Sequence, residues 1–439
     1  MARPPDELRA PSPLPVEPGG SGGAAGPAGS AAPPVDGRAL RRLMACIGPA
    51  HLGIALVWGA VPGTLLALQV QRTVGEDAKV GTLAVVTTVG ALLAMVAQPV
   101  AGAVSDRTRS RFGRRGPWIV AGVVTGGLAL IGMAFARSVP AMLALWCLVQ
   151  IGYNFAAGPL SAVMPDRVPP GKRGLFSTVT GLGSMCGSLL GQIFAATFED
   201  RITTAYVALA LLATALAVVL VTLNPERPSR DVPQEPFQVR EFLSGLAPNP
   251  RKHPDFFWVF VSRLSTNLAY FLVLGYKLYI LQDYIGLHDE AIGRVPVLAL
   301  TAVAGLLPAA VVTGPLSDRL GRRKVFVVAS ASLIGCAMLI PFAVPTMTGM
   351  TAMAFLVGIG FGCFQGVDTA LISQVLPSER SFARDLGVVN VAATLPQVLA
   401  PAIAGAVVLW LGGYRTLFPL ALAFALLGAV AVLRVKSVR

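Results

Sequence analysis

Three ionisable side chains fall well inside apolar stretches of this sequence: Arg263, Lys277 and Asp368. A charged group in hydrocarbon is costly unless it finds a partner or faces water, so such residues usually belong to a solute pathway or a proton relay. Arg263 and Asp368 each lie about eight residues from the same membrane boundary, which is about 12 Å along a helix. We therefore expect the two to pair, with Asp368 as a proton-coupling acid and Arg263 as its partner.

Further polar side chains recur at helical spacing on these and other apolar stretches. Asn267 and Tyr270, for example, follow Arg263 on one helical face. A lining of amides and hydroxyls suits a neutral polyhydroxylated solute, with Trp58 stacking on an apolar sugar face, whereas the alternative is that these groups only bond neighbouring helices. The candidate pathway residues are Trp58, Gln150, Asn154, Arg263, Asn267, Tyr270, Gln365, Asp368, Asn390 and Gln397.

The sequence offers no cluster typical of an enzyme or a metal centre. The five cysteines all fall in apolar stretches without CxxC spacing, and the three histidines are scattered. A match to GxSxG within Gly19–Gly23 lies in a segment rich in Pro and Gly, without the strand and helix that this nucleophile motif needs. We expect no enzymatic activity, no metal and no cofactor.

The elements that hold the candidate residues must be membrane-spanning helices. Hydrophobic residues make up 54% of the 439 residues and charged residues only 13%, and the mean hydropathy of +0.68 is too high for an ordinary soluble protein. The apolar residues form separate runs of about 20 residues, long enough to cross hydrocarbon as helices. Helices are predicted near 44–70, 80–104, 117–136, 140–164, 175–198, 202–223, 255–281, 295–316, 325–343, 350–376, 387–411 and 415–434.

The distribution of the basic residues indicates how the chain is oriented in the membrane. The formal net charge is +13, but the basic residues sit in short clusters between apolar runs, so nucleic acid is not an expected partner. Lys and Arg concentrate in alternate loops, as they do on the cytoplasmic side of membrane proteins. We expect a multi-pass protein of the plasma (cell inner) membrane, surrounded by lipid bilayer, with both termini cytoplasmic and the monomer as the functional unit.

The chain divides into five segments. Residues 1–37 form a tail rich in Pro, Gly and Ala that is expected to be disordered in the cytoplasm. Residues 38–223 form an N-terminal six-helix half and residues 255–434 a C-terminal six-helix half. The polar stretch 224–254 is predicted to be a cytoplasmic linker, and 435–439 a cytoplasmic C-terminus.

An arginine-rich loop occurs twice. The loop Gly102–Arg115, after the second helix, reappears as Gly314–Arg323 after the eighth, four residues shorter. Glycines farther along keep the same offset: Gly152 and Gly158 in the first copy, Gly360 and Gly366 in the second. Two parallel halves of this kind suit a transporter whose halves rock about a central site.

The repeated loop resembles the GxxxDRxGRR signature of the major facilitator superfamily, and the resemblance spans essentially the whole chain after the tail. It implies an all-α membrane protein of the major facilitator fold, with 12 transmembrane helices in two pseudo-symmetric six-helix halves. It also implies that Asp106 docks near the start of the eleventh helix, and Asp318 near the start of the fifth, when the cytoplasmic side is closed; the alternative is a role in topology only. The candidate gating residues are Gly102, Asp106, Arg107, Gly113, Arg114, Gly314, Asp318, Arg319, Gly321 and Arg322.

Within that superfamily, the run SDRTRSRFGRRGPWI resembles the loop of plant sucrose transporters, their animal relatives and bacterial glycoside:cation symporters. This narrower resemblance implies alternating-access transport of a sugar or glycoside coupled to a proton or another cation. The sequence departs from the plant sucrose transporters on the fourth helix, where Gln150 and Asn154 stand in place of an expected acid. Facilitated diffusion, or coupling through Asp368 alone, stays open.

Two other functions are compatible with the same helices. A drug or metabolite exporter of the superfamily is one, although Gly183, Gly187 and Gly191 on the fifth helix occur without the Gly-Pro motif of drug antiporters and more simply allow close helix packing. A receptor or scaffold without transport activity is the other. It would have little use for two copies of the gating loop.

Overall fold

The computed structural model describes residues 37–230, 254–375 and 382–435. The predicted tail, except for Gly37, and most of the predicted linker lie outside these ranges, as does nearly all of the predicted C-terminus 435–439. The side chains of Asp318 and of residues 369–390, Asn390 among them, also lie outside the described part.

Twelve long helices make up the described ranges. Eleven apolar stretches are long enough to cross a membrane, and the first of them, Gly37–Arg107, contains two helices. The expectation of an all-α, multi-pass membrane protein is therefore confirmed. The helices are α1 (Gly37–Ala60), α2 (Leu66–Arg107), α3 (Gly116–Met133), α4 (Val139–Arg167), α5 (Arg173–Thr197), α6 (Ile202–Leu223), α7 (Pro254–Leu274), α8 (Ala291–Leu320), α9 (Arg323–Ala343), α10 (Met347–Val375), α11 (Phe382–Trp410) and α12 (Leu417–Leu433).

The structure refines two boundaries of the sequence prediction. The break expected between residues 70 and 80 is a sharp change of direction at Gly75, with φ 76°, while α1 continues into α2 through a π-helical turn, Val61–Leu65. The seventh helix was expected to reach residue 281, but α7 ends at Leu274 and the chain resumes helically only at Lys277. Pro, Gly and π-helical geometry locally interrupt the apolar runs from which the helices were predicted.

The two halves, α1–α6 and α7–α12, repeat one packing pattern. In the first half, α1 packs on α5 and α6, α4 on α2 and α3, and α3 on α6. In the second half, α7 packs on α11 and α12, α10 on α8 and α9, and α9 on α12. Between the halves, α2 packs on α11 and α5 packs on α8. Because α8 is the counterpart of α2 and α11 the counterpart of α5, these two contacts are equivalent.

Glycines at matched offsets allow two helices to approach closely in each half. A Cβ on Gly158 of α4 would lie 3.2 Å from the Gly102 nitrogen of α2, and a Cβ on Gly366 of α10 would lie 3.5 Å from the Gly314 nitrogen of α8. The repeat therefore extends from the loops into helix packing, as the sequence predicted. On α5, a Cβ at Gly183, Gly187 or Gly191 would overlap the backbone of α1, which confirms the packing interpretation of that glycine stripe.

The bundle has two ends with different chemistry. We call the end that carries Arg107, Arg115 and Arg167 the basic face; α2 and α4 end there and α3 begins there. The opposite face carries Lys79 and Asp283.

Candidate functional site

A cavity of about 610 Å³ lies between the two halves. This volume is within the range of roughly 300–1,000 Å³ that is typical of small-molecule sites. The lining residues come from α1, the π-helical turn after it, α2, α4 and α5 in the first half. In the second half they come from α7, from residues 275–277 directly after it, and from α11. Its polar or aromatic lining residues are Trp58, Thr87, Gln98, Trp146, Gln150, Asn154, Ser188, Gln192, Tyr270, Phe271, Tyr276, Lys277, Thr394 and Gln397.

Aromatic rings form part of the wall. The Trp58 ring centroid lies 6.5 Å from that of Trp146 and 6.0 Å from that of Tyr153, edge to face in both cases. Across the cavity, Tyr270 stacks on Phe361 at 4.3 Å with an angle of 13° between the rings. Rings that brace one another in this way present fixed apolar surfaces to a ligand.

Amide and hydroxyl groups complete the wall. The Asn154 amide donates to the Gln150 carbonyl oxygen one turn earlier, at 2.8 Å, which fixes its direction. The Tyr276 hydroxyl donates to the Pro401 carbonyl oxygen of α11 at 3.2 Å. Such groups are those that orient polar ligands in otherwise apolar pockets.

Lys277 is the one cationic residue in the described lining. Its side chain follows the break after α7, it is only 8% exposed, and its ammonium donates to Oε1 of Gln192 on α5. No aspartate or glutamate contributes to the described lining.

The ion pair expected from the sequence is present. Nη1 of Arg263 lies 2.9 Å from Oδ2 of Asp368, and the aspartate side chain is only 4% exposed. The Asn267 amide donates to the Arg263 carbonyl oxygen at 2.8 Å. The pair bridges α7 and α10 within the second half, and it does not belong to the described cavity lining.

Half of the candidate pathway residues meet at the cavity. Trp58, Gln150, Asn154, Tyr270 and Gln397 line it. Arg263 and Asn267 of α7, and Gln365 and Asp368 of α10, do not line it in this conformation. The Asn390 side chain lies outside the described residues. A role in the pathway stays a prediction for all ten.

Several lining residues were missed by the sequence reasoning. Ser188 and Gln192 of α5 each follow a glycine of the stripe that packs on α1, so they occupy the adjacent helical face and turn toward the cavity. Their spacing of four residues was visible in the sequence. Gln98 has no polar side chain three or four residues away on its helix and carried no comparable signal.

At the basic face, Arg115 is the centre of the first gating loop. Its guanidinium forms an ion pair with Asp106, a second with Asp166 at 3.0 Å, and a hydrogen bond to the Ser105 hydroxyl at 2.6 Å. Arg114 also pairs with Asp166, at 2.6 Å. Asp106 is thus held inside the first half here, and the sequence reasoning named Arg114 but missed Arg115 and Asp166.

Backbone geometry explains two glycines of the gating loops. Gly113 has φ 86° and Gly321 has φ 61°, a left-handed conformation that favours glycine. A Cβ on Gly113 would also overlap Glu226, whose carboxylate accepts from the Arg115 amide at 2.8 Å. Gly321 instead caps α8 with open space around it.

At the opposite face, side chains join the halves. The Lys79 ammonium lies 2.8 Å from Oδ1 of Asp283, and the Tyr414 hydroxyl donates to Oδ2 of that aspartate at 2.8 Å. The Tyr279 hydroxyl donates to the Ala67 carbonyl oxygen at 2.8 Å. The bonds of Lys79 and Tyr279 connect α2 with residues 277–284, the helical segment that follows α7, whereas the Tyr414 bond stays within the second half.

Three curated relatives resemble parts of the chain. It is 25% identical over 257 residues to the sucrose transport protein SUC4 of Arabidopsis thaliana, covering 49% of each protein. It is 23% identical over 242 residues to the lactose permease of Leuconostoc lactis, covering 48% of this chain and 37% of the permease. An uncharacterized MFS-type transporter of Mycobacterium tuberculosis is 26% identical over 364 residues, 79% of this chain and 81% of that protein. The chain thus spans about half the length, or less, of the first two relatives.

Two solved structures share the fold. A mutant of the nucleoside transporter NupG superposes with a TM-score of 0.70 at 15% identity, covering 90% of this chain and 99% of that chain. A bacterial homologue of the human lysosomal transporter Spinster, in an inward-facing and unoccupied conformation, gives a TM-score of 0.64 at 15% identity over 91% and 94%.

The model of the Major Facilitator Superfamily matches residues 43–383 and 295–439. Its members are transporters rather than enzymes, as was expected for this chain. Two sugar-transport proteins, a sucrose transporter among them, are relatives of the chain, which agrees with the branch that the loop resembles. With its twelve described helices, its repeated arginine loops and this match, the chain belongs to the Major Facilitator Superfamily.

Proposed function

We propose that the protein is an alternating-access secondary transporter of a small polyhydroxylated solute, a sugar or glycoside. The observation that carries this proposal is the cavity between the halves, whose lining combines the braced rings of Trp58 and Trp146 with amides such as Gln150 and Asn154. Aromatic faces accept the C–H surfaces of a sugar ring, and amides can both donate to and accept from its hydroxyls.

The relatives support the same class of solute. A sucrose transport protein and a lactose permease both match parts of this chain. The sequence of the first gating loop, SDRTRSRFGRRGPWI, independently resembles that of sugar transporters.

Coupling to a proton is assigned to Asp368 with Arg263. An acid can bind and release a proton during transport, and an arginine beside it favours its charged form until the pair separates. In the expected position on α4, the cavity presents Gln150 and Asn154, which are amides and cannot take this role at physiological pH.

The closed opposite face supports an inward-facing state. The bonds of Asp283 and Tyr279 to the first half lie on one side of the cavity, while Gln98 and Ala157 extend its lining toward the basic face. With the basic face in the cytoplasm of a plasma membrane, as the arginine distribution predicts, solute would leave the cavity to the cell interior. A monomer contains the whole pathway.

Uptake into proteoliposomes tests the proposal. The full chain is reconstituted and offered labelled mono- and disaccharides with and without an inward proton gradient. A Trp58→Ala variant should take up the preferred sugar roughly two- to tenfold less efficiently, because it loses a stacking surface worth about 0.5–1.5 kcal/mol. Phe135→Ala, at an exposed ring on the opposite face, is the matched control. Absence of uptake of every sugar, with drug export on expression in cells, would replace the sugar proposal by the exporter.

A further inference from the structure

Lys277 differs from the other buried charges of the protein. Among the described residues, four charged side chains are buried: Lys79, Arg115, Lys277 and Asp368. Lys79 pairs with Asp283, Arg115 with Asp106 and Asp166, and Asp368 with Arg263. Lys277 has a neutral partner, the Gln192 amide oxygen. Its charge is the one in this set without a described counter-charge.

The surroundings hold the ammonium at the cavity wall. A Cβ at Gly63 would lie 3.3 Å from Cε and 3.8 Å from Nζ of Lys277, so the glycine of the π-helical turn lets the backbone of the first half approach the ammonium closely. Gln192 fixes it from α5. Both Lys277 and Gln192 line the cavity, between elements from the two halves.

The ammonium has capacity for a further partner. It carries three donor hydrogens, of which the Gln192 oxygen takes one. A buried charge without a counter-charge is expensive, and a negatively charged ligand group in the cavity would remove that cost. Since the described lining holds no carboxylate, the ligand itself is the source of the negative charge.

We infer that Lys277 binds a carboxylate of the transported solute, so the substrate is a sugar acid or another polyol that carries one negative charge. Gln192 positions the ammonium and offers its own amide hydrogens to the same group. The inference rests on the proposed transport of a polyhydroxylated solute and narrows its class. A carboxylate is chosen over a phosphate because one ammonium supplies a single charge and no arginine fork lies in the described lining.

Matched ligands that differ in charge test this assignment. Uptake by the full chain in proteoliposomes is measured for glucose, glucuronate, its neutral isostere glucuronamide, and glucose 6-phosphate. We expect the apparent affinity for glucuronate to exceed that for glucuronamide at least about tenfold, as for other hydrogen bonds to charged groups. Lys277→Met should abolish this preference, and Lys277→Arg should keep it.

The buried Lys79 provides the control, because it carries an equally buried ammonium outside the cavity lining. Lys79→Met should leave the ratio of glucuronate to glucuronamide affinity unchanged. If the Lys277 variants do not fold, the ratio of glucuronate to glucuronamide affinity in the wild type still tests whether the site prefers a carboxylate.

Each contrary result has its own meaning. Transport of glucose with equal affinity for glucuronate and glucuronamide, or an unchanged preference in a folded Lys277→Met variant, overturns the carboxylate site and leaves the sugar transporter in place. A preference for glucose 6-phosphate over glucuronate also overturns it. Failure to transport any of the neutral or acidic sugars overturns both the proposed function and this inference.

Discussion

The Lys79 ammonium lies 2.8 Å from the Asp283 carboxylate oxygen Oδ1 and thereby ties the first half of the protein to the second. The lysine side chain is 3% exposed and also pairs with Glu76, while Asp283 accepts from Tyr414. The cluster belongs to both halves and lies at the face opposite the arginine-rich loops. Any movement that opens this face must separate Lys79 from Asp283.

Replacing Asp283 with Asn should therefore destabilise closure of the opposite face. A partly buried pair of this kind contributes about 1 kcal/mol, roughly a fivefold shift in the ratio of open to closed molecules. Spin labels at Phe135 and Val344, two exposed positions in different halves at this face, report the change. The population with the longer distance between the labels should rise.

The neighbouring pair of Arg294 and Glu290 is the control for this measurement. It lies at the same face, is 3.6 Å long and exposed, and joins residues of the second half alone. Glu290→Gln should leave the distances between the labels unchanged. Equal distance distributions in Asp283→Asn and wild type would show that the Lys79–Asp283 pair does not hold this face closed.

The Arg263–Asp368 pair predicts an asymmetry in stability. The aspartate side chain is 4% exposed and the arginine 18%, so removing the arginine leaves the more buried charge without its partner. Arg263→Met should cost about 3–5 kcal/mol, and Asp368→Asn less. The double variant should melt at a higher temperature than Arg263→Met alone, because it no longer contains an unpaired buried carboxylate.

Thermal melting of the purified variants in detergent checks this order. An exposed acid, Asp289→Asn, serves as the reference for a change of charge without burial. If the double variant melted at or below the melting temperature of Arg263→Met, the unpaired buried aspartate would not be the cause of the lost stability.

The same pair predicts how transport depends on a proton gradient. With one proton carried per solute, a gradient of one pH unit can drive about tenfold accumulation, since one unit is worth 1.36 kcal/mol. Asp368→Asn should eliminate this accumulation and retain exchange of solute between two equal compartments. Asp289→Asn should behave like the wild type. Accumulation by Asp368→Asn driven by the same gradient would exclude Asp368 as the coupling acid.

Most of the fold could be predicted from the sequence, because each signal depends on a single feature of it. Runs of about 20 apolar residues suffice to locate helices in a membrane, and the repeated loops at Asp106 and Asp318 indicated two halves. The break expected between residues 70 and 80 is present at Gly75. The break after Leu274 did not follow, because a run of apolar residues does not by itself show where a helix ends.

The site was predictable only in part, for a geometric reason. Depth along two helices was enough to pair Arg263 with Asp368. Membership of the cavity instead depends on the rotation of each helix: Tyr270 faces the cavity, whereas Asn267, less than one turn away, does not. Lys277 was recognised as a buried charge, but its neutral partner Gln192 lies 85 positions away, and no spacing rule connects them.

The matched glycines predict unequal costs for the same substitution in the two halves. On Gly158 a Cβ would lie 2.7 Å from the Gln98 carbonyl oxygen, whereas on Gly366 it would lie 3.2 Å from the Ala310 carbonyl oxygen. Both contacts are with backbone, which yields less readily than a side chain end, so Gly158→Ala should destabilise by about 1–3 kcal/mol and Gly366→Ala by less. Gly293 in α8 has nothing within 4 Å of such a Cβ, and Gly293→Ala should be neutral or stabilise by up to about 1 kcal/mol through helix propensity. We expect the melting temperature to rise in the order Gly158→Ala, Gly366→Ala, Gly293→Ala. Equal losses of stability at Gly158 and Gly293 would show that helix propensity, rather than the approach of α4 to α2, decides the effect.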